Sequence, residues 1–447
     1  MTEPYKIKVC ESIKLIPRSE RETVLKEAGY NVFRIPADKV YIDLLSDSGT
    51  SAMSTRQWAS MLLGDESFAY QKSYYRLIDT VKSIFGFKHV LPIHQGRAGE
   101  HILFSLMVNQ GDCVPNNMHF ETTRANIEYQ GGKAVNLVVD EAYDPKSEFP
   151  FKGNIDLNKL KSLIEDVGKQ RIPLCIITLT NNTGAGQPVS IENVCAVKDI
   201  LSKYDIPLFF DACRFAENAF LIREREQGYA NKSIREIIKE LFSYADGCIM
   251  SAKKDALSNI GGFIAMNNGD LIKQVENLIL LIEGFPAHGG LAGRDLEAIA
   301  AGLEEAIDEE HLTHRVGQVR YLGERLINNG IPVFKPIGGH AVYIDTSEFL
   351  PNIPKDKFPS QALLAAIYLE GGVRTASLGS EFSNTQSGHP LELVRLSVPR
   401  RVYTREHLDY VVDVVTKVYK KRKTIKGLRL VHEPKFLKDF GVQFEKL

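Results

Sequence analysis

Two adjacent lysines, Lys253 and Lys254, stand at the end of a short apolar run, GCIMSA (247–252). A pair of lysines on its own is typical of a solvated turn. A lysine that follows a strand and lies among small residues can instead approach an aldehyde and form a Schiff base with it. The pair is therefore a candidate for covalent chemistry, and the rest of the chain has to decide between the two interpretations.

A glycine-rich turn at HQGRAGE (94–100) precedes a stretch with helical apolar spacing. The first N–H groups of a helix have no partner within it and carry the positive end of its dipole, so such a turn suits a phosphate group. Arg97 could add a contact through two hydrogen bonds. Alone, a glycine turn before a helix is more often structural, and the signal is weak.

A carboxylate, Asp211, ends the apolar run LFFD (208–211), and Arg214 follows three residues later. One interpretation is a buried aspartate that caps the next helix. The other is a carboxylate that pairs with a protonated ring nitrogen, the usual partner of pyridoxal phosphate. In the order glycine-rich turn, strand-end Asp211 and strand-end Lys254, the three motifs together favour a pyridoxal-phosphate site.

Alternating strand-like and helix-like segments position these residues. Strands are expected at 172–180, 206–214 and 247–252, with helices at 190–204 and 232–245 between them. This spacing predicts a parallel sheet covered by helices, whose ligands bind at the carboxyl ends of the strands. With the three motifs, the pattern resembles the α/β fold-type I pyridoxal-phosphate enzymes, which implies a mostly parallel seven-stranded sheet in a large domain and a smaller C-terminal α/β domain.

The pattern changes after about residue 305. Four segments there alternate between helix and strand character: 339–347, 358–370, 393–398 and 404–422. The segment 296–330 has the spacing of a long helical bridge, and 376–392 has the composition of a surface loop. We expect three parts: an N-terminal arm with part of the small domain (1–45), a large cofactor-binding domain (46–305) and a small C-terminal domain (306–447).

The composition excludes several classes of protein. The 447 residues include 55 lysines and arginines against 56 aspartates and glutamates, which argues against a broad nucleic-acid or membrane surface. No apolar run reaches membrane-spanning length, and MTEPYKIKVC at the start lacks the apolar stretch of a signal peptide. Six cysteines without a CxxC pair disfavour structural zinc and disulfides. We expect a cytoplasmic protein that acts on a small molecule.

Longer motifs extend the comparison over the whole chain: DLLSDSGTSAMS (43–54), GDESFAY (64–70), HQGRAGE (94–100), GAGQPVS (184–190), DACRFAENAF (211–220), SAKKDALSNIGG (251–262), EGFPAHGGLAGRD (283–295), PRRVYT (399–404) and HEPKFL (432–437). In this order they resemble the beta-eliminating lyases, pyridoxal-phosphate enzymes that cleave tyrosine or tryptophan. The resemblance covers essentially the whole chain and is specific at family level.

The resemblance implies roles for individual residues. Four are expected around the ring of the cofactor: Lys254 as the Schiff-base lysine, Asp211 at the ring nitrogen, Arg214 near the phenolic oxygen and Phe120 stacked on the ring. The phosphate is expected on Gln95, Gly96, Arg97 and Ser251. The substrate α-carboxylate is expected on Asn182, which also contacts the cofactor, and on Arg395, with Ser48 nearby. Further substrate contacts are expected from Phe33, Phe68, Leu378 and Asp439. Potassium is expected at Glu66 and the carbonyls of Gly49 and Asn259.

The chemistry implied by the resemblance is β-elimination. The amino acid displaces Lys254 to form an external aldimine, and the freed amine removes the α-proton. Asp211 keeps the ring nitrogen protonated, so that the carbanion spreads into the ring as a quinonoid. The β-substituent then leaves, and pyruvate and ammonia are released. Members of the family are typically tetramers with active sites at subunit interfaces, so a homotetramer is expected.

The chain departs from the family pattern where the leaving group is handled. Phe68 stands in place of the tyrosine that protonates the leaving group, and a phenyl ring has no proton to give. Four more positions differ: Glu121 for an aspartate or threonine, His288 for a tyrosine, Leu378 for an arginine of the tyrosine-cleaving members, and Asp439 for a histidine or an aromatic residue. Glu121 or His288 could be a relocated acid and is a candidate catalytic residue.

Four interpretations stay open at this point. One is the ordinary family substrate with a compensating acid, including a tyrosine near Phe68: Tyr70, Tyr74 or Tyr75. Another is a leaving group that needs little protonation, such as a thiolate in a carbon–sulfur lyase. A third is a changed reaction on the same cofactor: transamination, β-substitution or decarboxylation. The last is a silent scaffold, which the intact set of cofactor residues argues against.

Overall fold

The computed structural model describes residues 2–379, 391–434 and 441–447. Asp439 and most of the 376–392 stretch therefore lie outside the described residues. The helices are α1 (Arg18–Glu27), α2 (Thr55–Leu62), α3 (Lys72–Phe85), α4 (Gly96–Met107), α5 (Glu121–Tyr129), α6 (Leu157–Val167), α7 (Ile191–Ser202), α8 (Phe215–Arg225), α9 (Ile234–Ser243), α10 (Gly269–Ile282), α11 (Gly293–Ala306), α12 (Glu309–Asn328), α13 (Thr346–Phe349), α14 (Pro359–Gly371) and α15 (Arg405–Lys420).

The strands follow the same chain order. They are β1 (Ile42–Asp43), β2 (His89–Ile93), β3 (Cys113–Asn116), β4 (Lys133–Asn136), β5 (Cys175–Thr178), β6 (Leu208–Asp211), β7 (Gly247–Ser251), β8 (Gly262–Met266), β9 (Ala341–Asp345), β10 (Val373–Arg374), β11 (Ala376–Gly379), β12 (Glu392–Ser397), β13 (Leu428–His432) and β14 (Gln443–Lys446).

The chain divides into two compact units. The larger contains Ser48–Ala142 and Phe149–Thr313, and the smaller contains Met1–Asp47, Tyr143–Glu148 and His314–Leu447. Nothing in the sequence indicates that the six residues Tyr143–Glu148 belong to the smaller unit. Within the described ranges, no helix combines the length and the apolar character needed to cross a bilayer.

The larger unit is built on a seven-stranded sheet with the order β2-β8-β7-β6-β5-β3-β4. Strand β8 runs antiparallel to both of its neighbours, and the other described pairs are parallel. The central strands β5 (CIIT), β6 (LFFD) and β7 (GCIMS) read as continuous apolar runs because both faces of the sheet are buried. The predicted α/β fold with a mostly parallel seven-stranded sheet is confirmed.

The predicted helices around these strands are also confirmed, with tighter ends. Helix α7 begins after Ser190, whose hydroxyl accepts a hydrogen bond from the N–H of Asn193. Helix α9 begins with a capping box between Ser233 and Glu236. The strand expected at 172–180 is shorter, because Pro173 has no N–H to donate to a neighbouring strand.

The segment 296–330, expected as a helical bridge, is helical but is not one continuous helix. The segment forms two helices, α11 and α12, which are separated by Ile307 and Asp308. The carboxylate of Asp308 accepts a hydrogen bond from the N–H of His311 over 2.8 Å. Because this bond satisfies a free donor at a helix start, Asp308 begins a second helix instead of continuing the first.

The smaller unit is itself an α/β structure. Its antiparallel sheet has the order β11-β12-β9, and helices α14 and α15 pack with it around a large apolar core that includes Leu363, Val394 and Val411. The loop expected at 376–392 is wrong at its start, where Ala376–Gly379 pairs with β12. The smaller C-terminal α/β domain is confirmed.

Candidate active site

A pocket opens in the larger unit at the carboxyl ends of the central strands. Its volume is about 680 Å³ when the part open to solvent is included. Among the residues expected from the sequence, its lining contains Ser48, Gln95, Gly96, Arg97, Phe120, Asp211, Ser251 and Lys254. The structure thus brings together residues that are distant along the chain.

The carboxylate and the amine of the pocket come from neighbouring strands. Strand β6 ends at Asp211, which pairs with Ile249 of β7, and Lys254 follows the end of β7 by three residues. The N–H of Cys213 donates to the Asp211 carboxylate over 3.2 Å, which fixes the orientation of this acid. Both groups line the same pocket because parallel strands end at one edge of the sheet.

The glycine-rich turn forms an anion cradle. Helix α4 begins at Gly96, where a Cβ atom would lie 2.9 Å from the Cβ of Ser251, so that only glycine allows this approach. Within the described part of the chain, no side chain caps this helix, and the buried Ser251 Oγ has no hydrogen-bond partner. The first N–H groups of α4 and the Ser251 hydroxyl are hydrogen-bond donors, and the exposed Arg97 lies beside them. Together these groups suit a phosphate group.

Glu100 is a pocket residue that the sequence analysis did not single out. It lies four positions after Gly96 and therefore on the same face of α4. The hydroxyls of Thr122 and Thr123 donate to its two carboxylate oxygens over 2.9 and 2.5 Å. Burial, together with the negative charge of Asp211, raises the pKa of Glu100 to about 7. The helical spacing from the glycine turn was the available signal.

Two further groups give the pocket its electrostatic character. Burial and the positive charges of Lys254 and Arg97 lower the pKa of Lys253, which also lines the pocket. Burial, followed by the charge of Asp211, raises the pKa of the Cys213 thiol to about 12. Cationic groups therefore gather on the side of the glycine turn, as an anionic ligand needs, while the thiol stays protonated.

Eight expected site residues of the larger unit are described but are not among the lining residues of the pocket: Gly49, Glu66, Phe68, Glu121, Asn182, Arg214, Asn259 and His288. Arg214 is buried and precedes α8, and its carbonyl accepts a hydrogen bond from the Thr180 hydroxyl over 3.0 Å. Asn182 is buried after β5, and Glu121 is the first residue of α5. Their roles stay predictions.

Three expected substrate residues belong to the smaller unit. Phe33 lies in a short 3₁₀ turn, Leu378 is buried in β11, and Arg395 lies in β12. The guanidinium of Arg395 donates to the carbonyl of Leu45 over 3.0 Å. The roles expected of these residues stay predictions, as does that of Asp439, which lies outside the described residues.

The two departures from the family pattern at Phe68 and His288 meet in space. Their ring centroids are 5.9 Å apart in an edge-on contact, and Phe285 lies 5.4 Å from Phe68. The ring nitrogen Nδ1 of His288 accepts a hydrogen bond from the N–H of Gly290 over 3.3 Å. Phe68 is 75% exposed, so the ring that replaces the expected acid stands at the surface beside an imidazole.

Two of the three residues expected at a cation site lie together. The side-chain amide of Asn259 donates to the carbonyl of Gly49 over 3.0 Å, and a Cβ atom on Gly49 would lie 3.2 Å from the Asn259 carbonyl oxygen. The Glu66 carboxylate accepts a hydrogen bond from the N–H of Gly293 over 3.1 Å and pairs with Arg294 over 3.3 Å. Glu66 is thus placed at the start of α11.

A protein-family model described as beta-eliminating lyase matches residues 43–414. The chain belongs to the beta-eliminating lyase family. This lyase is 49% identical over 451 residues to the tyrosine phenol-lyase of Symbiobacterium thermophilum, with 100% of this chain and 98% of the relative covered. It is also 49% identical over 443 residues to the tryptophanase of Salinibacter ruber, with 98% of this chain and 94% of the relative covered. Because the two identities are equal, the names of relatives do not select a substrate.

Solved structures share the fold of this beta-eliminating lyase. The serine palmitoyltransferase of Sphingomonas wittichii superposes with a TM-score of 0.62 at 13% identity, covering 91% of this chain and 97% of the other. A variant serine palmitoyltransferase from S. paucimobilis with a bound PLP–myriocin aldimine superposes with a TM-score of 0.59 at 12% identity, with the same coverage. These similarities confirm the fold-type I class.

The beta-eliminating lyase family implies pyridoxal phosphate as the cofactor. The pocket fits this group: a buried hydroxyl without a partner among the described residues and a glycine-initiated helix suit the phosphate, and a carboxylate and an amine stand at two adjacent strand ends. The enzyme is a lyase by its family.

Proposed function

We propose that this enzyme cleaves the Cβ–X bond of an L-amino acid and releases pyruvate, ammonia and the β-substituent. The observation that carries the proposal is the meeting of Lys254, Asp211 and the start of α4 at one pocket. The names of the relatives, tyrosine phenol-lyase and tryptophanase, support a reaction of this class.

The phosphate of the cofactor is proposed to bind at Gln95, Gly96, Arg97 and Ser251, through the first N–H groups of α4, the Arg97 guanidinium and the Ser251 hydroxyl. The buried hydroxyl supports this placement, because a buried polar group without a partner costs free energy that a phosphate oxygen would recover. When bound, pyridoxal phosphate supplies an aldehyde for the amino group of the substrate and a ring that withdraws electrons from the bonds at Cα. Phe120 would cover one face of that ring.

Lys254 and Asp211 are proposed to handle two different protons. The Lys254 amine would take the proton from the substrate Cα, for which a strand-end lysine on the pocket wall has the required reach. The Asp211 carboxylate would hold a proton on the ring nitrogen, since a negative charge next to a basic nitrogen favours its protonated form. The hydrogen bond from the N–H of Cys213 keeps this carboxylate in one orientation.

His288 is proposed as the acid that protonates the leaving group. Phe68 has no proton to give, and the imidazole of His288 is in edge contact with its ring. An imidazole carries a ring N–H that it can donate, which suits a general acid. Glu121, at the start of α5, is the other candidate from the sequence; the observation that favours His288 is its ring contact with Phe68.

A carbon–sulfur lyase is the second candidate function. Its leaving group is a thiolate, which departs without full protonation and therefore tolerates a phenyl ring at position 68. The exposed Phe68 is the observation that favours this alternative over cleavage of a carbon–carbon bond. The two candidates share every cofactor residue and differ only in the leaving group.

The test is a product analysis over a panel of L-amino acids that includes tyrosine, tryptophan and S-substituted cysteines. Pyruvate and ammonia in equal amounts support β-elimination, and the amino acid that gives them identifies the leaving group. Carbon dioxide without pyruvate, or amino-acid consumption without ammonia, would replace the proposal by decarboxylation or transamination. Lys254→Ala should abolish turnover, and Lys273→Ala, at a lysine whose side chain is 75% exposed, serves as the matched control.

A monovalent cation, potassium, is proposed at Glu66 and at the carbonyls of Gly49 and Asn259, two groups that lie close together. Their proximity supports the site, because carbonyl oxygens are suitable ligands for an alkali cation. Exchange of potassium for tetramethylammonium at constant ionic strength should lower kcat. Renewed addition of potassium should restore it. Equal activity in both salts would remove the cation from the account.

A homotetramer is proposed as the assembly. Several large apolar side chains of the larger unit are exposed, among them Trp58 at 53%, Leu62 at 88%, Leu63 at 74% and Leu281 at 80%. Exposed apolar groups of this size are typical of contacts between subunits. Sedimentation equilibrium should give four times the chain mass, and a monomer at micromolar concentration would contradict the proposal.

A further inference from the structure

One buried carboxylate connects the two helices that border the cofactor pocket. Glu100 lies one turn beyond Gly96, at the start of α4, and lines the pocket. Its two oxygens accept hydrogen bonds from Thr122 Oγ1 and Thr123 Oγ1, over 2.9 and 2.5 Å. Both threonines are buried in the first turn of α5, directly after Phe120, which caps that helix. The helix of the phosphate turn is thereby tied to the helix of the stacking ring.

We infer that Glu100 is a positioning residue of the cofactor site, because its carboxylate fixes the separation between the phosphate turn and Phe120. This inference rests on the proposed function. A cofactor that binds through its phosphate and its ring gains most when both subsites are already in place. Glu100 touches neither end of the cofactor in this account and acts through α5.

The strength of this connection depends on the charge of the carboxyl group. An ionised carboxylate accepts both threonine hydrogen bonds as charge-assisted bonds, whereas a protonated carboxyl must use one oxygen as a donor. Burial, with the charge of Asp211, raises the pKa of Glu100 to about 7, so both forms are accessible in ordinary buffers. The connection should therefore be tighter above pH 7 than below it.

Few charges face Glu100 from the elements packed on α4. Asp211 raises its pKa and Lys254 lowers it, and strands β7 and β8 carry no charged side chain. The other ionisable residues of α4 and of its neighbours are Arg97 and His101 on α4, Glu121, Arg124, Glu128 and Tyr129 on α5, His89 on β2, Cys248 on β7, and Asp270, Lys273 and Glu276 on α10. All of these are unchanged by a substitution at position 100, so a difference between wild type and variant reports Glu100.

The first experiment measures cofactor binding to the full chain after removal of the cofactor. Glu100→Gln keeps the shape of the side chain and removes its charge. At pH 8 we expect its affinity for pyridoxal phosphate to fall about tenfold and the visible circular dichroism of the bound cofactor to change, because the ring loses its fixed orientation. Inorganic phosphate, added as a competitor, should bind wild type and variant equally. Glu128→Gln, at a 53%-exposed side chain on α5, is the matched control.

A double-mutant cycle tests whether Glu100 acts through Phe120. In a Phe120→Leu background, Glu100→Gln should have little further effect on affinity, since the ring that Glu100 positions is gone. Additive losses in the two variants would overturn the inference. Thr123→Val, which removes a donor and leaves the carboxylate, should reproduce the loss, so the test does not depend on the folding of one variant.

The pH profile separates a positioning role from a merely structural one. The ratio of wild-type affinity to that of Glu100→Gln should fall towards one as the pH drops through about 7, because Glu100 loses its charge while the pH dependence of the cofactor is common to both proteins. Identical profiles would overturn the inference. If wild type itself takes up no pyridoxal phosphate, the proposed function fails; if wild type binds it and Glu100→Gln binds it equally well, only the inference fails.

Discussion

At the scale of single residues, Lys254 differs in its position from the other described lysines, apart from its neighbour Lys253 in the same pocket. It follows β7 by three residues and shares a pocket with Asp211, whereas Lys273 has a side chain that is 75% exposed on α10. Burial and the positive charges of Lys254 and Arg97 lower the pKa of the neighbouring Lys253, so positive charge is concentrated at this strand end. Reactivity here is a property of the strand end.

Phe68→Tyr tests the most unusual residue of the site. The new hydroxyl would stand beside the imidazole of His288 and could donate a proton to a carbon leaving group. We expect pyruvate formation from tyrosine or tryptophan to rise about tenfold or more over wild type. Phe285→Tyr, at the ring 5.4 Å from Phe68, is the control and should bring no such gain. An unchanged rate in Phe68→Tyr would show that the pocket differs by more than one proton.

The pocket residues divide into those that a sequence reveals and those that it does not. Asp211 and Lys254 each end an apolar strand, and a polar residue at a strand end is visible in the sequence. Glu100 lies inside α4 between Gly99 and His101, and the two hydroxyls that hold its carboxylate come from α5. Such a partner, more than twenty positions away, has no local sequence signal.

At the scale of elements, the start of α4 depends on the absence of a side chain at Gly96. A Cβ atom there would lie 2.9 Å from Ser251 Cβ and 3.2 Å from its N–H nitrogen, so Gly96→Ala must move the helix start away from β7. We expect the affinity for pyridoxal phosphate to fall about tenfold or more, measured by titration of the visible absorbance. Gly269→Ala, at the first residue of α10, would meet only His89 Nε2 at 3.5 Å and should bind normally.

Asp308 shows why one expected helix is two. The apolar spacing of 296–330 is continuous, but the Asp308 carboxylate accepts a hydrogen bond from the N–H of His311 and begins α12. Asp308→Ala should lower the free energy of unfolding by about 1 kcal/mol, whereas Asp308→Asn should nearly preserve it. Chemical denaturation measures both variants. An unchanged free energy of unfolding in Asp308→Ala would mean that the cap contributes nothing. Periodicity predicts helical character, and a single cap decides where a helix breaks.

At the scale of the whole molecule, the buried carboxyl group of Glu100 makes the free energy of unfolding depend on pH. Burial raises the pKa of Glu100 from 4.5 to about 7, so between these values the folded chain binds more protons than the unfolded chain. The free energy of unfolding should therefore fall as the pH rises from about 4.5 to about 7, by no more than about 3 kcal/mol. Glu100→Gln should lack this component, as denaturation of the cofactor-free protein at several pH values can measure. A constant difference between the two proteins over this range would contradict the assignment.

The architecture of the larger unit follows from sequence periodicity. Which segments of the chain make up the smaller unit does not follow from it. Continuous apolar strands alternate with capped helices in the order that a parallel sheet requires. The segment Tyr143–Glu148 belongs to the smaller unit through contacts with residues almost two hundred positions away, such as the hydrogen bond from the Lys335 N–H to the Pro145 carbonyl. Long-range pairing of this kind depends on tertiary packing and leaves no pattern in a single chain.

The central claim is that Lys254, at the end of β7, holds the cofactor. Borohydride converts a carbon–nitrogen double bond between an amine and an aldehyde into a stable single bond, so peptide mass spectrometry of the reduced holoenzyme identifies the lysine. We expect the added mass of reduced pyridoxal phosphate on Lys254 in the wild-type protein and no labelled peptide in Lys254→Ala. Label on Lys253 or on any other lysine, or label that survives in Lys254→Ala, would contradict the account.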